Sequence, residues 1–411
     1  MSRRTVEYPC AVVLVGLLAG LAGAATTWLL HLVEHLTYAY SFGTLLTGVG
    51  DSSPVRRALG PMLGGALAGA CWWALRRTAD VPSLSTTITE HRPLPRLRMS
   101  LDALIQVLLV GSGASLGREG APRQLAASFG DLGIARLSLT ARDREILLAS
   151  AAGAGLGAVY SVPLGGALFA TQILLRTWHP RALGTTLLTS ALAVAVAAPV
   201  THLEHSLTWP EARLSYLFGV LAVAIAPIAV AIGLGFDRLM AWARPVPQFR
   251  SWTLVPAIAC AGLVIGVCSI WWPELPGNGR SILTVSVDAA LTVGGAAALL
   301  LLKPLLTALF LRAGAVGGLL TPALATGAAA GSVLALALNA WAGTYLSVAA
   351  LSLTCAAGVL AVTQRAPLWA ALFVWELARP PVWLLVVFAL AALAAHGLRV
   401  AHERHTASAA A

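Results

Sequence analysis

Apolar residues in this chain run in long blocks. Continuous apolar windows cover residues 10–30, 58–75, 146–175, 182–200, 216–234, 254–270, 289–311, 324–338, 346–362 and 383–395. Several approach the ~20 residues that an α-helix needs to cross a bilayer. The windows are continuous rather than alternating, which argues against a membrane β-barrel. The pattern predicts an all-α polytopic membrane protein. The segment after Met1 is too long for a signal-peptide core and lacks an A-x-A-like cleavage site, so the first helix is expected to stay.

A slower periodicity lies over these windows. "AAGAGLGAVYSVPLGGALF" (151–169) and "CAAGVLAVTQRAPLWAALF" (355–373) share Pro-Leu-x-x-Ala-Leu-Phe, with Pro163 and Pro367 separated by 204 positions. "GREGAP" (117–122) and "GGLLTP" (317–322) share a first glycine and a last proline, 200 positions apart. Apolar helices use a small alphabet, so isolated Ala or Leu matches mean little. Two motifs in one order at nearly one spacing predict two related halves, 1–206 and 207–411. Related halves in a membrane often hold a substrate at their interface, where broken helices point their N-termini at an anion.

Composition narrows the function. The 411 residues are 58% hydrophobic and 11% charged, against about 25% charged in a soluble domain. The net charge of +10 is spread over loops, where lipid head groups explain it better than nucleic acid does. Arg3, Arg4, Arg76, Arg77, Arg92, Arg96, Arg98, Arg399 and Arg404 fit a cytoplasmic side, whereas Arg56 and Arg57 do not. Five cysteines without a C-x-x-C pair read as buried small hydrophobes. No metal site, cofactor motif or nucleophile–base constellation stands out, and an enzyme is not expected.

The chemistry concentrates in "GSGASLGREGAPRQ" (111–124). Glycines let the backbone turn and approach a ligand closely. A helix starting there leaves N–H groups unpaired, and these suit an anion. Pro122 and Pro322 are tolerated early in a helix. Glu119 is itself an anion at such a start, so it could occupy the site in place of a diffusible ion. Ordinary helix capping, or pairing with Arg118 or Arg123, is the alternative, but an ionisable residue in a membrane is a functional candidate by default. Lys303 and Arg312 could add positive potential near an anion path, but they are expected to snorkel or pair. Asp102 and Asp288 read as helix-start or loop carboxylates, and Trp271, Trp272, Trp369 and Trp383 as interfacial belts.

These motifs resemble the CLC family of chloride channels and proton-coupled chloride exchangers. "GREGAP" looks like the family's GREGP signature, "GGLLTP" like G-x-F-x-P with Leu320 at the phenylalanine, and "YSVPLGGALF" like N-A-P-L-A-G-x-x-F. "PELPGNG" (273–279) resembles the loop that opens the later helices. The resemblance implies a homodimer of inverted-repeat subunits in the cell membrane, each with its own anion pathway. It makes Glu119 the gate. It assigns anion binding to Gly117, Arg118, Gly120, Gly318, Leu319 and Leu320, and puts Ala79 where the family has a serine hydroxyl. No regulatory nucleotide-binding pair is expected after the membrane region. The family's late tyrosine has no match, and the exchangers' inner acid aligns with Ile173, or with Gln172 one register away. Glu376, at the repeat position of Gln172, is then a candidate proton relay, with a cytoplasmic or interfacial salt bridge as the alternative. The expectation is transport of chloride or a similar small anion, channel-like or loosely coupled to protons. A proton-coupled antiporter, fluoride or nitrate transport, and a non-conducting scaffold or sensor remain as alternatives.

Overall fold

The computed structural model describes residues 3–78, 80–201, 207, 209–210, 216–245 and 249–410, and among them every regular element is helical. In hydrocarbon each N–H and C=O must find its partner within the segment, and a helix achieves this alone. The first half holds α1 (Arg3–Tyr38), α2 (Leu45–Asp51), α3 (Pro54–Thr78), α4 (Leu84–Thr89), α5 (Arg96–Gly111), α6 (Gly120–Gly133), α7 (Ala141–Tyr160), α8 (Pro163–Leu168) and α9 (Pro180–Thr201). A π-helical stretch, Phe169–Leu175, continues α8. The second half holds α10 (Leu217–Ala224), α11 (Ala226–Ala243), α12 (Leu254–Cys268), α13 (Arg280–Val287), α14 (Val293–Arg312), α15 (Leu320–Trp341), α16 (Val348–Gln364), α17 (Pro367–Ala378) and α18 (Trp383–Ala410).

The halves run in parallel element by element. α3 and α12 start at Pro54 and Leu254, α8 and α17 at Pro163 and Pro367, and α9 and α18 at Pro180 and Trp383. The long α1 is answered by α10 and α11 together, interrupted just before Pro227. The boundary expected at 206/207 involves residues 202–206, which lie outside the described residues.

Among the described residues seven helices have the length and apolar character to cross a membrane. Their outer faces expose large apolar side chains such as Trp28, Leu63, Leu301 and Val386, as a surface solvated by lipid requires. The centre is made by a repeat-related pair. In α7 the run from Ile146 to Tyr160 is buried throughout, and in α16 the run from Val348 to Val362. Small residues bring backbones into contact. α3 and α12 cross where a Cβ on Gly65 would stand 2.6 Å from the Ile258 carbonyl, the close approach that drives helix association when lipid removes the hydrophobic force.

Two expectations change. Cys355 is buried, but Cys10 and Cys260 are exposed on membrane helices, where a thiol costs nothing against lipid. Trp369 is not interfacial: it is fully buried, donates its indole N–H to the Gly165 carbonyl at 2.9 Å and stacks on Phe373. A buried indole needs such a partner, and Gly165 inside α8 supplies it.

Candidate functional site

The two glycine motifs meet. Each follows a helix that ends in a turn at a left-handed glycine, Gly113 at φ +109° and Gly314 at φ +91°. The strands beyond these turns pair at one point. Gly117 N–H donates to Gly318 O at 2.7 Å and Gly318 N–H to Gly117 O at 2.9 Å. The prolines suggest a register of 200, whereas Gly117 pairs with Gly318, so the structural register here is 201. α6 and α15 start immediately afterwards, Glu119 preceding the first and Leu319 the second.

Glu119 does not cap its own helix. Its carboxylate crosses to the other half, where Oε1 accepts the Leu320 N–H at 2.6 Å. Oε2 accepts the Thr321 hydroxyl at 3.1 Å and the Tyr160 hydroxyl at 3.4 Å. The side chain is 1% exposed. A Cβ on Gly117 or on Gly318 would land on the Glu119 carboxylate, so both positions need glycine for this close approach. A Cβ on Gly120 would meet the Gln106 amide oxygen. Such a position can hold an anion, because an N–H at a helix start has no partner of its own and the macrodipole favours negative charge.

Two arginines lie near. Arg123 donates to the Glu119 main-chain carbonyl at 2.8 Å and lies over the Phe169 ring. The Arg118 guanidinium stacks on the Tyr160 ring, 5.0 Å from its centroid. Ala79, the position matched to the family's serine, lies outside the described residues.

Glu376 sits at a second junction between the halves. Its oxygens accept the N–H groups of Leu164 and Gly165 at 3.0 and 2.7 Å, capping the start of α8. Gln172, its repeat counterpart, accepts the Trp369 N–H at 3.3 Å near the start of α17. Each half thus caps a helix of the other. Ile173 lies in the π-helical stretch beside Gln172.

Lys303 and Asp102 depart from expectation. Lys303 does not snorkel; it is fully buried and donates to the carbonyls of Leu275 and Gly277 at 2.9 and 2.7 Å. Asp102 is neither at a helix start nor in a loop, but inside α5. It accepts from the Trp72 indole, Gln106 and Gln124 at 2.8, 2.8 and 3.1 Å. The two stand 201 positions apart, so equivalent sites in the halves carry opposite, buried charges. Arg312 stacks on Trp242 at the surface, as expected of an interfacial arginine.

Sequence reasoning missed Tyr160 and Thr321. Both border motif prolines, Thr321 directly before Pro322 and Tyr160 three before Pro163, and that is the only signal they carried.

A helical membrane fold with a carboxylate held at a helix start where two repeats join defines a class of ion-pathway protein. The family model for the voltage gated chloride channel matches residues 64–399, so the chain belongs to that family, the CLC family of anion transport proteins. It is 29% identical over 381 residues to the voltage-gated ClC-type chloride channel ClcB of Escherichia coli O17:K52:H18 (strain UMN026 / ExPEC), with 88% of each chain covered. ClcB of Escherichia coli K12/DH10B is 28% identical over 379 residues. Among solved structures, a slow cyanobacterial Cl-/H+ antiporter superposes with TM-score 0.77 at 19% identity, over 95% of both chains. A CLC-type fluoride/proton antiporter superposes with TM-score 0.74 at 20% identity, over 97% of this chain and 96% of the other. These superpositions show the CLC fold. The protein is a multi-pass integral membrane protein that transports anions and is not an enzyme.

Proposed function

We propose that the chain carries chloride, or a similarly small anion, along a pathway gated by Glu119. The observation that carries this reading is the buried Glu119 carboxylate on the Leu320 N–H, where an acceptor anion would sit. While Glu119 is charged and seated, it blocks the path. Protonation, or competition from an incoming anion, releases it. Backbone N–H groups of Leu319, Leu320 and Gly120, beside the mutually paired Gly117 and Gly318, then line the path, and selectivity follows from the cost of dehydrating the ion.

Weak or absent proton coupling is the second element. Stoichiometric exchange requires protons to reach Glu119 from both sides of the membrane. The exchangers' inner acid aligns with Ile173 or, one register away, with Gln172; an isoleucine neither carries a proton nor orders water by hydrogen bonding, and an amide bonds but does not titrate in the physiological range. Glu376 remains the candidate relay, although its two N–H bonds favour a capping role. The relatives include ClcB, described as a channel, and structures described as antiporters, so the coupled reading has support as well. The subunit is proposed to work as a homodimer in the lipid bilayer.

The test is flux from purified protein in liposomes. Under a chloride gradient clamped near zero voltage, chloride is expected to move without a fixed ratio of protons. Glu119→Gln is expected to conduct and to lose most pH dependence. Wild-type pH dependence in that variant would remove Glu119 as the gate. Steady uphill proton movement in the parent, absent in Glu119→Gln, would establish exchange.

A further inference from the structure

The seated carboxylate reports which groups the pathway offers to negative charge. Glu119 Oε1 and Oε2 stand in for the transported anion, and they take one backbone N–H and two hydroxyls. From these contacts we infer that Tyr160 and Thr321 are side-chain ligands of the transported halide, and that they set its preference for small halides over large ones. The inference rests on the proposed gating role of Glu119.

Three observations converge. Tyr160 ends α7, where Ser161 turns the chain into the left-handed region at φ +54° before Pro163. This turn directs the ring between the halves, and Arg118 stacked on one face holds it there. The orientation of the Tyr160 hydroxyl is set from the second half. Asn278 Oδ1 accepts the Arg280 N–H at 3.1 Å, which leaves its NH2 group to donate, and both Thr321 and Asn278 lie within side-chain hydrogen-bond reach of the Tyr160 hydroxyl. A phenol that accepts from an amide has its own O–H free to donate, and the Glu119 carboxylate lies in reach. Thr321 brings the third donor, one residue after the Leu320 N–H. Tyr160, Thr321 and Asn278 are each buried to 8% exposure or less, so bulk water does not compete with them.

O–H donors reward charge density. A small halide keeps short contacts to three donors, whereas a large, weakly hydrated one gains little from them and loses little without them. With the family's serine position occupied by Ala79 and no late tyrosine, these hydroxyls supply what the backbone alone does not.

The experiment uses full-length protein in the Glu119→Gln background, which removes the competing carboxylate. Chloride affinity is measured by calorimetry, and chloride-to-iodide permeability by liposome flux. Adding Tyr160→Phe or Thr321→Val is expected to weaken chloride binding about tenfold or more, the scale of one hydrogen bond to a charged partner. Iodide should be affected far less, so the selectivity falls. Thr321→Ser should retain the parent's behaviour. If Tyr160→Phe does not fold, the Val and Ser variants of Thr321 decide. Unchanged chloride affinity and halide order in the Phe or Val variants would overturn the inference, as would an equal loss for every halide. Failure of the gating role shows separately, as wild-type pH dependence in the Glu119→Gln parent.

Discussion

At the scale of single residues, space and charge at one junction define the proposed anion pathway. Gly318 faces the Glu119 carboxylate so closely that a Cβ would occupy its place. Gly318→Val is therefore expected to abolish anion flux while circular dichroism shows the helical content intact, and normal flux would move the pathway elsewhere. Lys303 illustrates a different dependence. Its ammonium is the donor for two buried carbonyls in the loop 275–277, and this loop leads to Asn278. Lys303→Met should lower stability by roughly 1–3 kcal/mol for each carbonyl left without a donor, read as a reduced midpoint of thermal unfolding in detergent. The glycines, Glu119 and Leu320 were legible because a charged, glycine-rich stretch is anomalous in an oily chain. Tyr160 and Thr321 were not, since a tyrosine at a helix end and a threonine before a proline are unremarkable until the fold brings 41 and 202 positions of chain separation to hydrogen-bond distance.

At the scale of elements, the halves depend on each other for their helix starts. α15 receives a carboxylate from the start of α6, α8 receives one from α17, and α17 receives the amide oxygen of Gln172. Glu376→Gln keeps an acceptor oxygen at α8 and should leave fold and anion flux near the parent level. Glu376→Ala removes it and should cost about 1 kcal/mol, as the loss of a cap does. Thermal unfolding of both variants checks this. If Glu376→Gln instead loses proton movement while keeping anion flux, the residue is a relay as well as a cap. The sequence repeat located both members of the 172/376 pair, but their mutual capping depends on how α8 and α17 pack.

At the scale of the whole molecule, the apolar outer faces of α8, α9, α17 and α18 carry Leu164, Leu188, Leu368 and Val386 in exposed positions. Leu164 and Leu368 are repeat counterparts, 204 positions apart. We propose that these faces meet in the homodimer; a tryptophan introduced at both Leu188 and Val386 should then raise the monomer fraction counted by single-molecule photobleaching in bilayers. An unchanged fraction would place the contact on another face.

The sequence by itself determined the membrane class and the helical architecture, and it supplied the proposals of two related halves and of a gate at Glu119. Hydrocarbon permits few backbone solutions, and a repeat is written in one dimension. The tertiary structure decided the one-residue difference in register between the prolines and the paired glycines. It also decided the burial of Asp102 and Lys303 and the hydroxyls that reach Glu119. Those depend mostly on contacts between residues 22 to 202 positions apart, and no local pattern encodes which distant side chain a buried charge will meet.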